Sequence, residues 1–340
     1  MWIPAVLICV LLALAIVSMG LGRLSIPPMT VLRILLALIT GSGTADSGNE
    51  AWAETQWVIV EYVRLPRVVI AATCGVGLAL GGAVLQGLFR NPLVGPEVAG
   101  VSHGAAFGGV VAIVLSMPTP AIVTCAFAGG LIALIATFAL ARLAGGGSVL
   151  SMVLAGVIVG AFFGAGVGLG QFVADPETQL PSIVYWLLGS FARSETRQIP
   201  VVVIPIAIAG TALLLMRWRI NLLSLGEADA AVLGIRVGLL RWVLAALVAV
   251  MIAAQVSVSG GIGWIGLVVP HFARMLVGAD HRALLPVSAL LGGIFLLAMD
   301  DIARTATDQE IPIGLLTAII GTPVFAFVFL KLRNKGWGRE

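Results

Sequence analysis

The sequence predicts an all-α integral membrane protein of about ten transmembrane helices, one transmembrane domain over residues 1–340, and three observations predict it. Sixty per cent of the residues are hydrophobic and 10% are charged. Soluble domains carry about 25% charged residues, so this chain has too few polar groups to coat a water-soluble globule of its size. The apolar residues fall into runs of about 20, the length that crosses a bilayer. The basic residues punctuate those runs instead of lining one face, so a pI near 9.1 reflects orientation in a membrane and not nucleic-acid binding.

The runs are 5–21, 65–89, 98–116, 121–141, 149–173, 199–216, 237–258, 262–277, 283–299 and 311–330. Segment 28–39 starts at a Pro pair, carries Arg33 and has about a dozen residues, which suits an interfacial or re-entrant helix outside the count. The first run has neither the basic leader nor the small-residue cleavage site of a secretory signal and reads as a retained helix. Ten spans put both termini on one side. Taking that side as cytoplasmic places twelve basic residues inside, from Arg90 to Arg339, and leaves seven elsewhere: Arg23, Arg33, Arg64, Arg67, Arg193, Arg197 and Arg304. An eleventh span at 28–39 would invert every later connection, so the charge bias favours ten.

Several chemistries are excluded. Only two lysines occur, Lys331 and Lys335, both near the C-terminus, and no Gly-x4-Gly-Lys-Ser/Thr loop exists to cradle a nucleotide phosphate. Cys9, Cys74 and Cys125 are odd in number and sit inside apolar runs, which suits neither disulfides nor zinc. The histidines lack partners at ligand spacing, and no nucleophile motif is present. No catalytic residue, metal site or bound cofactor is expected. An ion relay needs several paired acids at mid-membrane. The polar groups within the spans are Gln86, His103, Gln255 and the Asp300-Asp301 doublet, with His271 near the eighth. The doublet stands four and three residues before Arg304, where ion pairing is the simplest account. An ion-coupled secondary transporter is therefore the weaker alternative class.

Three constellations carry alternatives. Gly156, Gly160, Gly164 and Gly168 lie on one face of the fifth span, giving either close helix packing or a wide pore wall. The inner loop at about 217–236 holds Gly226, Glu227, Ala228, Asp229, Ala230 and Gly234, a short helix bounded by glycines with acids in its first turn. It is either a bland loop helix or a docking element for a cytoplasmic partner. Arg64, Arg67 and Arg304 fall on the side disfavoured for cations, and either snorkel to the interface or meet acids of a soluble partner.

Several strings together resemble the FecCD family, the permeases of type II ATP-binding-cassette importers for ferric siderophores, haem and cobalamin. They are Arg64-Leu-Pro-Arg67; Gly82-Ala-Val-Leu-Gln86-Gly-Leu-Phe-Arg90-Asn-Pro-Leu93 with Pro96, Gly100, Gly104 and Ala105; Trp186-Leu-Leu-Gly-Ser190; and 225–234. They continue with 260–271 and Arg274, Asp280-His-Arg282, Asp300 with Arg304, and 310–314 running to 321–325. The resemblance implies a permease in a prokaryotic plasma (inner) membrane, paired with a second copy or a close relative around a path on the dimer axis. It implies two ATP-binding subunits, which use ATP and Mg, and a soluble substrate-binding protein. Residues 226–234 match the helices that seat in the ATPase, and Arg64, Arg67 and Arg304 match arginines that meet glutamates of the binding protein. The fifth span matches the path-lining helix, and Gly145, Gly146, Gly147 and Ser148 match the cytoplasmic gate. The expected cargo is a metal chelate, a ferric siderophore first, with haem, cobalamin or molybdate as alternatives. Two departures stand out: Trp264 where the family usually has Phe, and a long polar outer loop at about 41–56.

Overall fold

The computed structural model describes residues 2–40, 51–95, 100–145 and 148–333, and among them every regular element is helical. In chain order these are α1 (Trp2–Gly20), α2 (Pro28–Thr40), α3 (Ala51–Val58), α4 (Leu65–Leu88), α5 (Val101–Val114), α6 (Thr119–Leu143), α7 (Val149–Val173) and α8 (Gln179–Leu187). They continue with α9 (Ile199–Leu215), α10 (Arg217–Leu225), α11 (Glu227–Val232), α12 (Val237–Ser259), α13 (Ile265–Val277), α14 (His281–Thr305) and α15 (Ile313–Arg333). A π-helical turn, Ile59–Arg64, joins α3 to α4.

A helix occupies each of the ten expected runs. Among the described residues seven helical stretches are long and apolar enough to cross a membrane, and α2, α5, α13 and the apolar part of α15 are shorter. The shortening of α5 and α13 has a backbone cause. Gly100 precedes α5 at φ 70°, and Gly260 ends α12 at φ 68°, a left-handed conformation that glycine adopts without steric cost. Trp264, also at φ 69°, then starts α13. The long outer loop lies largely outside the described residues, as do Gly146 and Gly147 of the expected gate. The amphipathic α8, which buries Ile183, was not foreseen; at nine residues it is too short to register as a run.

The connections sort into two ends. At one, the Ser190 N–H donates to the Ser259 carbonyl (2.9 Å) and the Ile313 N–H to the Gly189 carbonyl (2.9 Å). Arg23 donates to the Asp308 carbonyl at the same end. At the other, Arg217 donates to the Arg282 carbonyl (3.3 Å). The charge count names the second end inner.

α4 is the centre of the bundle, packed against α14, α12, α13 and α9. Lipid supplies no hydrophobic drive between helices, so close approach of backbones must hold them together. Gly75 and Gly292 meet at the α4–α14 crossing, where a Cβ on either would overlap the other's carbonyl oxygen. Gly82 stands equally close to the Gly266 carbonyl on α13. On α15, Gly321 leaves room for Trp264, whose ring meets Phe325 edge-on at 6.1 Å. The aromatic departure is thus a repacking against α15.

Replacing Gly75 with Ala should force α4 from α14 and destabilise the fold by about 1–3 kcal/mol, the usual cost of overpacking. Gly168→Ala, inside α7 with nothing within 4 Å of the added carbon, should leave the melting temperature in detergent unchanged or slightly raised, since alanine favours a helix interior. Equal melting of both variants would sink this account of the crossing.

Candidate functional site

At the outer end a buried ionic girdle joins four segments. Arg67, on the first turn of α4, is bidentate on Asp300 of α14, with Nε–Oδ2 and Nη2–Oδ1 both 2.9 Å, and reaches Glu310 through Nη1 at 2.9 Å. Arg304 pairs with Asp301 one turn back on α14 and donates to the Ser18 hydroxyl (2.8 Å) and the Leu21 carbonyl (3.0 Å) of α1 and its exit. The Ser18 hydroxyl donates in turn to Asp301 (2.7 Å). Arg64 donates to the carbonyls of Met19 (2.6 Å) and Leu24. Arg67 and Arg304 share Asp300, Asp301 and Glu310, while Arg64 is held by backbone carbonyls alone.

Arg64, Arg67 and Arg304, the arginines expected to meet a binding protein, are 5%, 7% and 9% exposed and make their hydrogen bonds within the chain. The physical reason is that a buried cation needs its donors satisfied and its charge balanced. The i+3 pairing of Arg304 with Asp301 was readable from spacing. The partners Glu310 and Ser18 lie 243 and 283 residues from the groups they bind, and no local pattern announces them. The exposed outer cations include Arg193 and Arg197, in the connection from α8 to α9.

At the inner end Gly226, at φ 143°, separates α10 from the six-residue α11, and Gly234, at φ 82°, closes it. Ala230 is buried while Asp229, Val232 and Leu233 are exposed, Val232 at 87%. α11 therefore presents an acidic and apolar face at the inner surface. α10 anchors this loop: Ile220 and Leu223 are buried, and the Asn221 side-chain oxygen accepts from the His281 N–H (3.2 Å) and lies 3.3 Å from its Nδ1. His281 opens α14, whose Asp280 cap accepts from the Arg282 N–H (3.0 Å). The Arg282 guanidinium holds the Asp280 carboxyl below the usual carboxylate range. That contribution is complete at neutral pH and is lost as pH falls through the lowered value. The inner loop and the girdle are thus tied to opposite ends of one helix, with His281 and Asp300 roughly 30 Å apart along it.

The glycine face of α7 divides. Gly156 and Gly160 are buried against Gly100 and His103 of α5, Gly164 stands near the His103 ring, and Gly168 is open. Helix packing accounts for the inner half, and the bare groove does not run the length of the helix. Another face of α7 is uncovered and apolar: Ile158, Phe162, Leu169 and Phe172, the last 86% exposed. Gly145 has φ 100° with nothing within 4 Å, and the Ser148 hydroxyl caps α7 by accepting from the Ser151 N–H at 3.0 Å. Among the described residues no group of three metal-binding side chains occurs.

A multi-pass helical bundle with a mounting loop at its inner end and a charge-balanced outer rim is a membrane permease. The FecCD transport family pattern matches residues 10–331, and this chain belongs to that family. It is 42% identical over 322 residues to the molybdate import permease MolB of Haemophilus influenzae, covering 95% of this chain and 93% of that one. Identity is 44% over 277 residues to the cobalamin import permease BtuC of Halobacterium salinarum, covering 81% and 74%. The hemin transport permease HmuU of Yersinia pestis is 37% identical, covering 93% and 99%. A solved metal-chelate type ABC transporter, in an inward-facing conformation, superposes with a TM-score of 0.84 at 40% identity, covering 97% of this chain and 99% of that one. The chain is an inner-membrane permease subunit of an ABC importer, and not an enzyme.

Arg67→Met should strand Asp300 and cost about 3–5 kcal/mol, the cost of breaking a buried pair from one side. Adding Asp300→Leu should restore much of the loss. A double variant no more stable than the single would contradict the pairing.

Proposed function

We propose that two copies of this chain, or one copy with a close relative, enclose a path for a metal-centred solute delivered by a soluble binding protein. Two ATP-binding subunits, using ATP and Mg, seat on 226–234. The observation that carries this reading is the attachment of the coupling loop and the outer girdle to the two ends of α14. ATP-driven closure of the paired ATPases displaces α11. The Asn221–His281 bonds pass that displacement to α14, which shifts the outer rim as the inner gate closes; this is alternating access by rigid-body tilting. The open Gly145 and the Ser148 cap support a hinge at the inner end of α7, and the path is assigned to its exposed apolar face, with Gly168. Docking of the binding protein is assigned to exposed Arg193 and Arg197, while the buried arginines set the shape of the rim.

The cargo reading starts from a ferric chelate, the expectation drawn from the family resemblance. Molybdate is a second reading, favoured by a relative that is 42% identical over nearly the full length of both chains. Purifying the cognate binding protein and identifying its ligand by absorbance and mass spectrometry decides between them.

Two outcomes follow in proteoliposomes that contain the whole importer. Reversing Arg193 and Arg197 to Glu should weaken binding-protein affinity about tenfold at low salt and less at high salt, since exposed charge contacts are screened. Asn221→Ala should lower the cargo moved per ATP hydrolysed severalfold while ATPase activity persists. Unchanged stoichiometry would remove α14 from the coupling route.

A further inference from the structure

A cavity of about 320 Å³ opens at the inner end between the exit of α4, the end of α10 and the α13–α14 turn. Arg90, His271 and Arg274 line it, together with Gln86 and His281. Among the described residues that line it none is a carboxylate, and among the described residues no hydrogen bond or ion pair is made by the guanidiniums of Arg90 and Arg274. Two further groups in its wall are buried and unpartnered: Gln86 Oε1 and His281 Nε2. The Gln86 side chain is 3% exposed, with its amide nitrogen donating to the Gly266 carbonyl at 3.2 Å. His281 is 4% exposed, and its other ring nitrogen faces Asn221.

Arg274 is half-buried and Arg90 exposed, and orphaned polar atoms in a cavity whose described lining holds no carboxylate are costly unless a ligand completes them. The outer girdle makes the contrast: there Arg67 and Arg304 are paired with carboxylates of the same chain. One and two residues beyond Arg274 on α13, Met275 and Leu276 are exposed at 61% and 56%, giving apolar surface on the same helix turn. Basic pockets on the cytoplasmic side of membrane helices suit anionic head groups.

We propose that this cavity binds a phosphate-type oxyanion, with the head group of an anionic inner-leaflet phospholipid as its source. Arg274 and Arg90 supply the charge, and the acyl chains lie over Met275 and Leu276. A phosphate held there touches the turn after α4, α10 at Ser224 and the α13–α14 turn, and so braces the base of the coupling loop. The inference stands whatever the cargo.

The test uses the full-length permease in nanodiscs of phosphatidylcholine alone, of phosphatidylcholine with phosphatidylglycerol, or of phosphatidylcholine with added inorganic phosphate. Phosphatidylglycerol should raise the melting temperature and persist as a bound lipid in native mass spectra. Arg90→Gln with Arg274→Gln should weaken that retention roughly thirtyfold, as two surface cations contribute. Arg274→Lys should keep most of it. Arg90→Gln alone, at an exposed position, serves if the double variant does not fold. A shift produced equally by inorganic phosphate and lost in the variants keeps the oxyanion site but overturns its lipid source. Variants that respond to both probes as the parent does overturn the site.

Discussion

The bidentate contact of Arg67 with Asp300 is the constraint on which the outer half of the bundle depends. Asp300 is fully buried, and a carboxylate so placed is tolerable only with a cation held against it. That requirement sets the register of α4 against α14 at one end. Once it is set, Glu310 is drawn in from the connection to α15, while Asp301 and Arg304 fasten the end of α1 through Ser18.

The same two helices meet again at Gly75 and Gly292, nearer the middle of the bundle. An ion pair fixes rotation and register, and the glycine contact fixes separation, since backbone approach is stopped only by the opposing carbonyl. Together they make α4 and α14 a single stiff unit. The loop at the inner end is held to this unit by Asn221, so motion imposed at α11 has few ways to dissipate before it reaches the rim. The contrasting element is α7, which packs against α5 along its length, at Gly160 and His103 and at Gly170 and Val110, and leaves one face of large apolar side chains uncovered. Such a face is suited to a boundary shared with lipid, a second copy or a passing solute.

The distribution of unmet charge follows the same logic. Arg67 and Arg304 of the outer girdle are neutralised within the chain, whereas Arg90 and Arg274 at the inner end have no carboxylate partner among the described residues. Burial against the chain's own carboxylates is the solution on the side where the topology rule disfavours positive charge.

The ten runs, their order, the inner helix bounded by Gly226 and Gly234 and the pairing of Arg304 with its own doublet were all legible in the sequence. Each rests on a local property: apolar length, glycine conformational freedom or helical periodicity. What the arginines do was not legible. Arg64 and Arg67 carry the same residue type whether they face a partner protein or a buried aspartate, and their ligands come from segments that only the packed bundle brings near. The glycine face of α7 was ambiguous for a related reason, because a bare helix face is equally fit to pack or to line a path until a neighbouring helix occupies it. Local order was determined by the chain's own pattern; which charges are spent inside and which remain available was decided by the tertiary fold, since charge neutralisation depends on contacts between residues hundreds of positions apart.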